Sequence, residues 1–327
     1  MSVELKKVVD RCPAGLGQML RYHMGWQDEQ GQRRDGESGK FMRSTLCLLS
    51  CEAVGGDASE VMPAAAAVEL VHNFSLLHDD IEDVSCERHH RPTVWRIWGQ
   101  AQAINAGDAM FALAYLALLG LEERGVPGEM IVSAVRELSQ ACLDLCEGQY
   151  LDLEYERRLD ITVEDYLDMA AKKTAALFAV SASLGAYLGR GDERVAGCLD
   201  LFGKELGMAY QIHDDLLGIW GTEEVTGKPA DDISQRKKTL PVVYGLQNSR
   251  GEQKDRLAEL YGRETIGACE MAEISRILEQ TGARDYAEKL ATQYYSRAMT
   301  QLEASGLAAS RQAPLGEIAS FLLKRDF

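Results

Sequence analysis

Two short runs of carboxylates interrupt stretches that are otherwise apolar. The first is His78-Asp79-Asp80-Ile81-Glu82-Asp83, and the second is Gln211-Ile212-His213-Asp214-Asp215. On a helix Asp79 and Asp83 stand one turn apart on one face, with Asp80 about a quarter-turn away. Carboxylates carried on an apolar helix are unfavourable unless a cation or a partner compensates them. Hard oxygen ligands without cysteine suit Mg²⁺, which keeps its waters and prefers one or two carboxylates together with phosphate oxygens. A single aspartate-rich run is most often an ordinary solvated face. Two such runs, each flanked by apolar residues, point to more, and two helices facing one another could clamp Mg²⁺ ions around one diphosphate. Basic residues follow each cluster: Lys40 and Arg43 after a polar loop, Arg88 and Arg91 after the first run, Lys228, Lys237 and Lys238 after the second. Each alone reads as surface charge. Together they supply fixed cations where a leaving diphosphate develops negative charge.

The elements that must position these groups are helices. Residues 60–83 (EVMPAAAAVELVHNFSLLHDDIED) are apolar on nearly all faces, as in a buried helix, and alanine-rich patterns recur over 101–122, 130–153, 164–188 and 199–219. Strand-like alternation is absent over any useful length. Breaks fall at Gly55-Gly56, Gly125 to Gly128, Gly189 to Gly191 and Gly221 to Asp232, and residues 27–39 read as a polar loop. Only seven prolines occur, leaving 128–228 and 242–313 free for long helices. No repeat or interdomain linker is visible. The expectation is one all-α domain over 1–327.

Composition narrows the partners. The 327 residues carry 35 Lys+Arg against 51 Asp+Glu, a net charge of −16, which excludes a phosphate-backbone partner and disfavours anionic lipid. No run reaches the roughly 18 uninterrupted apolar residues of a membrane span, so no stable membrane insertion is expected. The eight cysteines form no CxxC pair, and the two i, i+4 pairs, Cys47/Cys51 and Cys142/Cys146, read as small buried hydrophobes. A reduced, cytoplasmic protein follows.

With these residues in place, the chain resembles the trans-isoprenyl diphosphate synthases, the polyprenyl synthetase family. The first run, preceded by Leu76-Leu77-His78 and followed by Arg88 and Arg91-Pro92-Thr93, resembles the family's first aspartate-rich motif; QIHDDLLGIWG, followed by Thr226-Gly227-Lys228 and Lys237-Lys238-Thr239-Leu240-Pro241, resembles the second. Ser38-Gly39-Lys40-Phe41-Met42-Arg43, Lys173-Thr174 and Gly148-Gln149 with Asp152 resemble three shorter motifs in the same order. The resemblance implies an all-α isoprenoid synthase bundle around a central cavity, Mg²⁺ as cofactor, and a homodimer. It implies Asp79, Asp83 and Asp214 as Mg²⁺ ligands, with Asp80 and Asp215 beside them as catalytic neighbours. Arg88, Lys173, Thr174, Gln211, Lys228 and Lys237 then contact an allylic diphosphate, and Lys40, Arg43 and His72 form the isopentenyl diphosphate site. Alone, His72 would read as a satisfied core histidine.

Three departures stand out. The family's adjacent arginines and glycine after the first motif are here Arg88-His89-His90, so His89 becomes a weaker, pH-dependent contact for isopentenyl diphosphate. GGKRxRP becomes SGKFMRS, and the second motif ends in Gly218 instead of aspartate.

The implied reaction departs diphosphate from an allylic substrate and adds the double bond of isopentenyl diphosphate to the resulting cation. No protein nucleophile is needed, in keeping with the absence of a Ser/His/Asp set. The growing chain is expected to descend beside the first motif's helix, where Phe74 and Ser75 lie at its floor, one turn before Asp79. A bulky ring there implies a fifteen- to twenty-carbon product, leaning to geranylgeranyl diphosphate, although Phe74 also reads as plain core. Two alternatives remain at this point. One is a class I terpene synthase that cyclises a prenyl diphosphate without isopentenyl diphosphate; the other is a non-catalytic subunit.

Overall fold

The structure is a computed structural model and describes residues 1–34, 41–190, 192–221, 232–263 and 265–323. Lys40 and Lys228 lie outside the described residues, as do Ser38, Gly39, Thr226 and Gly227. Among the described residues the regular elements are helices apart from one tiny hairpin and an isolated bridge between Gln27 and Arg33, as the sequence pattern predicts. It divides into two compact units, Met1–Gln140 with Val180–Gly197, and Ala141–Ala179 with Cys198–Phe327.

The first unit is built on α1 (Ser2–Val9), α2 (Ala14–His23), α3 (Met42–Val54), α4 (Met62–Glu82), α5 (Val94–Trp98) and α6 (Gln100–Leu119). Pro63 sits in the first turn of α4, where its missing N–H costs nothing, and Ala64 to Ala67 are fully buried. Those small side chains leave α4 free to pack closely on α6. Gly107 of α6 completes the approach, because a Cβ there would lie 2.2 Å from the His78 ring. Between α4 and α5 the chain forms the hairpin β1 (Glu87–Arg88) and β2 (Arg91–Pro92), turned by His89 and His90 at φ 52° and 57°. A tight turn with two left-handed residues favours Asn-Gly, and a histidine pair there holds a strained backbone in place.

The stretch Gln100–Arg124 is long and apolar enough, by length and composition, to cross a membrane, a feature that uninterrupted-run counting overlooks. One face, including Ala103, Ala106, Met110, Leu113 and Ala117, is buried, while Ile104, Leu116 and Leu119 are exposed.

The second unit holds the C-terminal half of α7 (Gly128–Glu156), α8 (Val163–Ala170), the start of α9 (Ala176–Arg190), most of α10 (Glu193–Trp220), and the helices Leu240–Asn248, Glu252–Tyr261, Ala268–Gln280, Ala283–Ala304 and Ala309–Leu323. Thr162 starts α8 with a reciprocal capping box to Asp165. Tyr155, Tyr166, Met208, Ile212, Leu216, Leu240 and Val243 form one of its cores.

Two sequence expectations are corrected here. The single helix over 164–188 is interrupted by a π-turn at Ala171–Ala175, whose wider coil projects Lys172, Lys173 and Thr174. Gly148 of α7 makes room for it, since a Cβ at 148 would sit 2.2 Å from the Lys173 nitrogen. Among the paired cysteines Cys47, Cys51 and Cys142 are buried, but Cys146 is exposed because i+4 on α7 falls on the solvent side of its stripe.

Candidate active site

In the first unit the first carboxylate run closes α4. Asp79 is half-buried and Asp80 is only 2 % exposed. Arg88, delivered by β1, answers both: its Nε donates to Asp80 Oδ1 at 2.8 Å, and its Nη2 lies 3.7 Å from Asp79 Oδ2. Burial pushes the Asp80 carboxyl up to about 6, with Arg88 opposing that rise. Asp80 Oδ2 is buried without a hydrogen-bond partner.

One turn and more before Asp79, His72 faces Arg43 on the first turn of α3, with Arg43 Nη1 3.2 Å from His72 Nε2. A guanidinium only donates, so that ring nitrogen accepts and the imidazole is neutral. Burial and the charges of Arg43 and Arg88 hold His72 well below the ordinary histidine range, in agreement. His89 sits exposed at the hairpin tip. Phe74 is buried and meets Phe111 edge-on at 5.0 Å and His78 at 5.7 Å, while Ser75 donates to the His72 carbonyl at 2.8 Å.

Arg91, counted from sequence among the diphosphate cations, is committed elsewhere. It stacks 4.0 Å from the Tyr22 ring centroid and donates to the Tyr22 carbonyl at 2.7 Å. Its position two residues past the turn directs it back along β2, against the N-terminal helices.

In the second unit the second run lies on α10 with Asp214 half-buried and Asp215 4 % exposed. Asp215 collects three donors: Tyr166 OH at 2.6 Å, the Leu240 backbone N–H at 2.7 Å, and Gln211 Nε2 at 2.9 Å. The Gln211 amide is thereby oriented with its oxygen toward Thr174, whose hydroxyl donates to it at 2.6 Å. Burial pushes the Asp215 carboxyl up to about 7 against these hydrogen bonds. Lys173 forms an ion pair with Asp152, and Lys237 is half-buried. Lys238, the other cation of this stretch counted from sequence, is 3 % exposed, donates to the Glu156 carbonyl at 3.0 Å and lies over Tyr261. That carbonyl ends α7, so Lys238 caps a helix C-terminus.

Gly218, where the family motif carries aspartate, is also explained by packing. A Cβ at 218 would lie 1.8 Å from Asp232 Oδ2, so the carboxylate of Asp232 occupies that space. Sequence reasoning missed Tyr166, Glu69, Asn73 and His23, none of which has a motif; only contacts reveal them.

Among the described residues no three His, Cys, Asp or Glu side chains make a self-sufficient metal cage. Mg²⁺ with one or two carboxylates and phosphate oxygens needs none. Within the first unit the oxygen donors of Asp79 and Asp83, and the unpartnered buried Oδ2 of Asp80, suit such an ion; within the second, Asp214 offers a donor of the same kind.

A family model described as polyprenyl synthetase matches residues 32–279. The chain is 38% identical to a (2E,6E)-farnesyl diphosphate synthase of Mycobacterium tuberculosis, covering 98% of this chain and 89% of that one. It is 42% identical to a geranylgeranyl diphosphate synthase of the same species, over 91% and 84% of the two chains. A crystal structure of a polyprenyl synthetase from Streptomyces coelicolor A3(2) superposes with a TM-score of 0.91 at 40% identity, over 98% of this chain and 95% of that one. An all-α chain that carries both carboxylate runs in order and matches these synthases along nearly its whole length belongs to the polyprenyl synthetase family, the trans-isoprenyl diphosphate synthases.

Proposed function

We propose that this trans-prenyltransferase condenses isopentenyl diphosphate with an allylic diphosphate to give a trans-prenyl diphosphate of fifteen to twenty carbons, leaning to geranylgeranyl. The observation that carries the condensation reading is the Arg43–His72 pair. A half-buried guanidinium held by a neutral imidazole is a ready diphosphate receptor, and a cyclase that takes no second diphosphate has no use for it. Lys40 and His89 complete that receptor in this reading.

Asp79, Asp83 and Asp214 would hold Mg²⁺, which when bound supplies Lewis-acid stabilisation of the departing diphosphate. The side chains do the rest. Gln211, its amide oriented by Asp215, keeps one N–H for a phosphate oxygen. Lys173, Lys228, Lys237 and Arg88 supply charge to the same allylic group, and Thr174 holds Gln211 from the other side. Arg88 reaches that role by trading carboxylate partners for phosphate oxygens. Asp80 and Asp215 act by positioning, through Arg88 and Gln211 respectively. The departing diphosphate accepts the proton lost on condensation, so no protein base is required.

Phe74 sets product length, supported by its buried ring at the α4–α6 contact. The exposed apolar stripe of Ile104, Leu116 and Leu119 fits a second copy of the chain, and we place the enzyme in the cytoplasm as a homodimer that acts as one catalytic domain. The test is incubation with Mg²⁺ and each allylic diphosphate, with and without isopentenyl diphosphate, followed by mass spectrometry. Products that require isopentenyl diphosphate and vanish with chelator support the reading. Hydrocarbon or alcohol formed without it would replace condensation with cyclisation.

A further inference from the structure

Next to the Arg43–His72 pair lies a row of polar groups that no motif includes, two of them buried and two half-buried. Glu69, on α4 one turn before Asn73, is 5 % exposed, a costly place for a carboxylate. Ser44, immediately after Arg43 on α3, is 1 % exposed, and its hydroxyl lies 2.9 Å from Glu69 Oε2 and 3.0 Å from the Phe41 carbonyl. One hydroxyl proton thus serves two acceptors. Phe41 has a left-handed backbone, φ 48°, which a bulky side chain holds only under constraint. Asn73 Nδ2 donates to the Glu69 carbonyl at 2.8 Å, and the imidazole of His23, the last residue of α2, hydrogen bonds the Asn73 side chain. The row therefore ties the end of α2, the start of α3 and the middle of α4 together at the residues adjacent to Arg43 and His72.

Electrostatics fits the same picture. The charge facing Glu69 is that of Arg43, which offsets part of the burial that pushes its carboxyl up. His23 faces Arg88, His89 and Arg91 and is held down to about 3, chiefly by burial. Both imidazoles, His23 and His72, are therefore neutral while Arg43 stays charged. An arginine on a backbone segment anchored through Ser44 to a buried carboxylate, with a neutral imidazole as its partner, presents its remaining donors in one orientation.

We propose that Ser44, Glu69, Asn73 and His23 form a positioning network that fixes the Arg43–His72 pair for the diphosphate of isopentenyl diphosphate. The inference rests on the function proposed above for that pair. The network touches no reacting atom. It acts by holding the start of α3 and the Arg43 guanidinium in register with α4, so disturbing it should affect one substrate and spare the other.

The test is steady-state kinetics of Glu69→Gln in the full-length enzyme with Mg²⁺, varying isopentenyl and allylic diphosphate separately. Heat-unfolding curves check folding. The expected result is a KM for isopentenyl diphosphate raised about tenfold, with the allylic KM and kcat within about twofold of the parent. Equal changes in both KM values, or none, would overturn the proposal. If Glu69→Gln does not fold, Ser44→Ala and His23→Asn, which keep the buried carboxylate, decide on the same criterion. Arg43→Ala separates the two layers. Should it leave the isopentenyl KM unchanged, the assignment of the Arg43–His72 pair falls and the network's role falls with it. Should it raise that KM while the network variants do not, only the network is overturned.

Discussion

The same dipeptide, Asp-Asp on an apolar helix, is handled in opposite ways in the two units. At the end of α4 the pair is met by a cation: Arg88 reaches both Asp79 and Asp80. On α10 the second aspartate is met by neutral donors, a tyrosine hydroxyl, an amide and a backbone N–H, which surround Asp215. The partly exposed half of that charge, Arg88 with Asp79, can be reopened by a competing anion at modest cost, because an incoming phosphate offers the guanidinium an equivalent partner. Three hydrogen bonds to one buried carboxylate cannot be exchanged so readily, since each donor would be left without a partner. The first arrangement suits a group that must change partners during turnover, and the second suits one that holds others still. The first aspartates, Asp79 and Asp214, are both half-buried and thereby available to a ligand.

The contrast can be broken most severely at Asp79. Asp79→Asn is expected to lower kcat by about a hundredfold or more with an unchanged unfolding temperature, because the lost carboxylate would weaken the hold on Mg²⁺ and leave packing alone. Steady-state rates and calorimetry on the same preparation would check it. Gly218→Asp tests the second unit from the other side. Restoring the family's aspartate should destabilise, by about 1–3 kcal/mol or more, because the new Cβ meets the carboxylate of Asp232. An unchanged melting temperature would show that Asp232 moves freely. Asp215→Asn is expected to lower stability by about 1–3 kcal/mol, since an amide cannot accept from all three donors, and to lower activity through a misoriented Gln211. Equal stability of Asp80→Asn and Asp215→Asn in denaturant titrations would erase the distinction drawn here.

Phe74→Ala should lengthen the product by at least one five-carbon unit in mass spectrometry. An unchanged length would leave Phe74 as core alone. A further effect concerns pH. His23 has an ordinary value of 6.5 and is held near 3 in the folded protein, so the unfolded chain binds the extra proton between those values. Stability from this group is therefore complete above 6.5 and is lost as pH falls toward 3. His23→Asn should reduce the slope of stability against pH in that window by about one proton, as read from unfolding at several pH values.

The helical architecture was legible because buried helices need apolar residues on a 3.6-residue period, and that period is written in 60–83 and 199–219. Two features escaped it. The π-turn at Ala171–Ala175 depends on Gly148 of another helix, and the hairpin at Glu87–Pro92 is too short to show a period. The site was legible in kind for a similar reason: Mg²⁺ and diphosphate demand carboxylates and cations, whatever the chain around them. Which charged groups answer each other was not. Arg88, Arg91 and Lys238 look alike in sequence, yet one pairs with Asp80, one stacks on Tyr22 and one caps α7.

By itself, then, the sequence determined the family, the helical class and the residue types that chemistry requires, because composition and spacing constrain those locally. Only the tertiary structure decided that Asp215 is an anchor, that Gly218 is the space for Asp232, and that Glu69 takes the hydroxyl of Ser44, next to Arg43 in the chain. Each of these is a matter of which side chain meets which across separate helices. Such meetings are fixed by packing, and no local pattern encodes them.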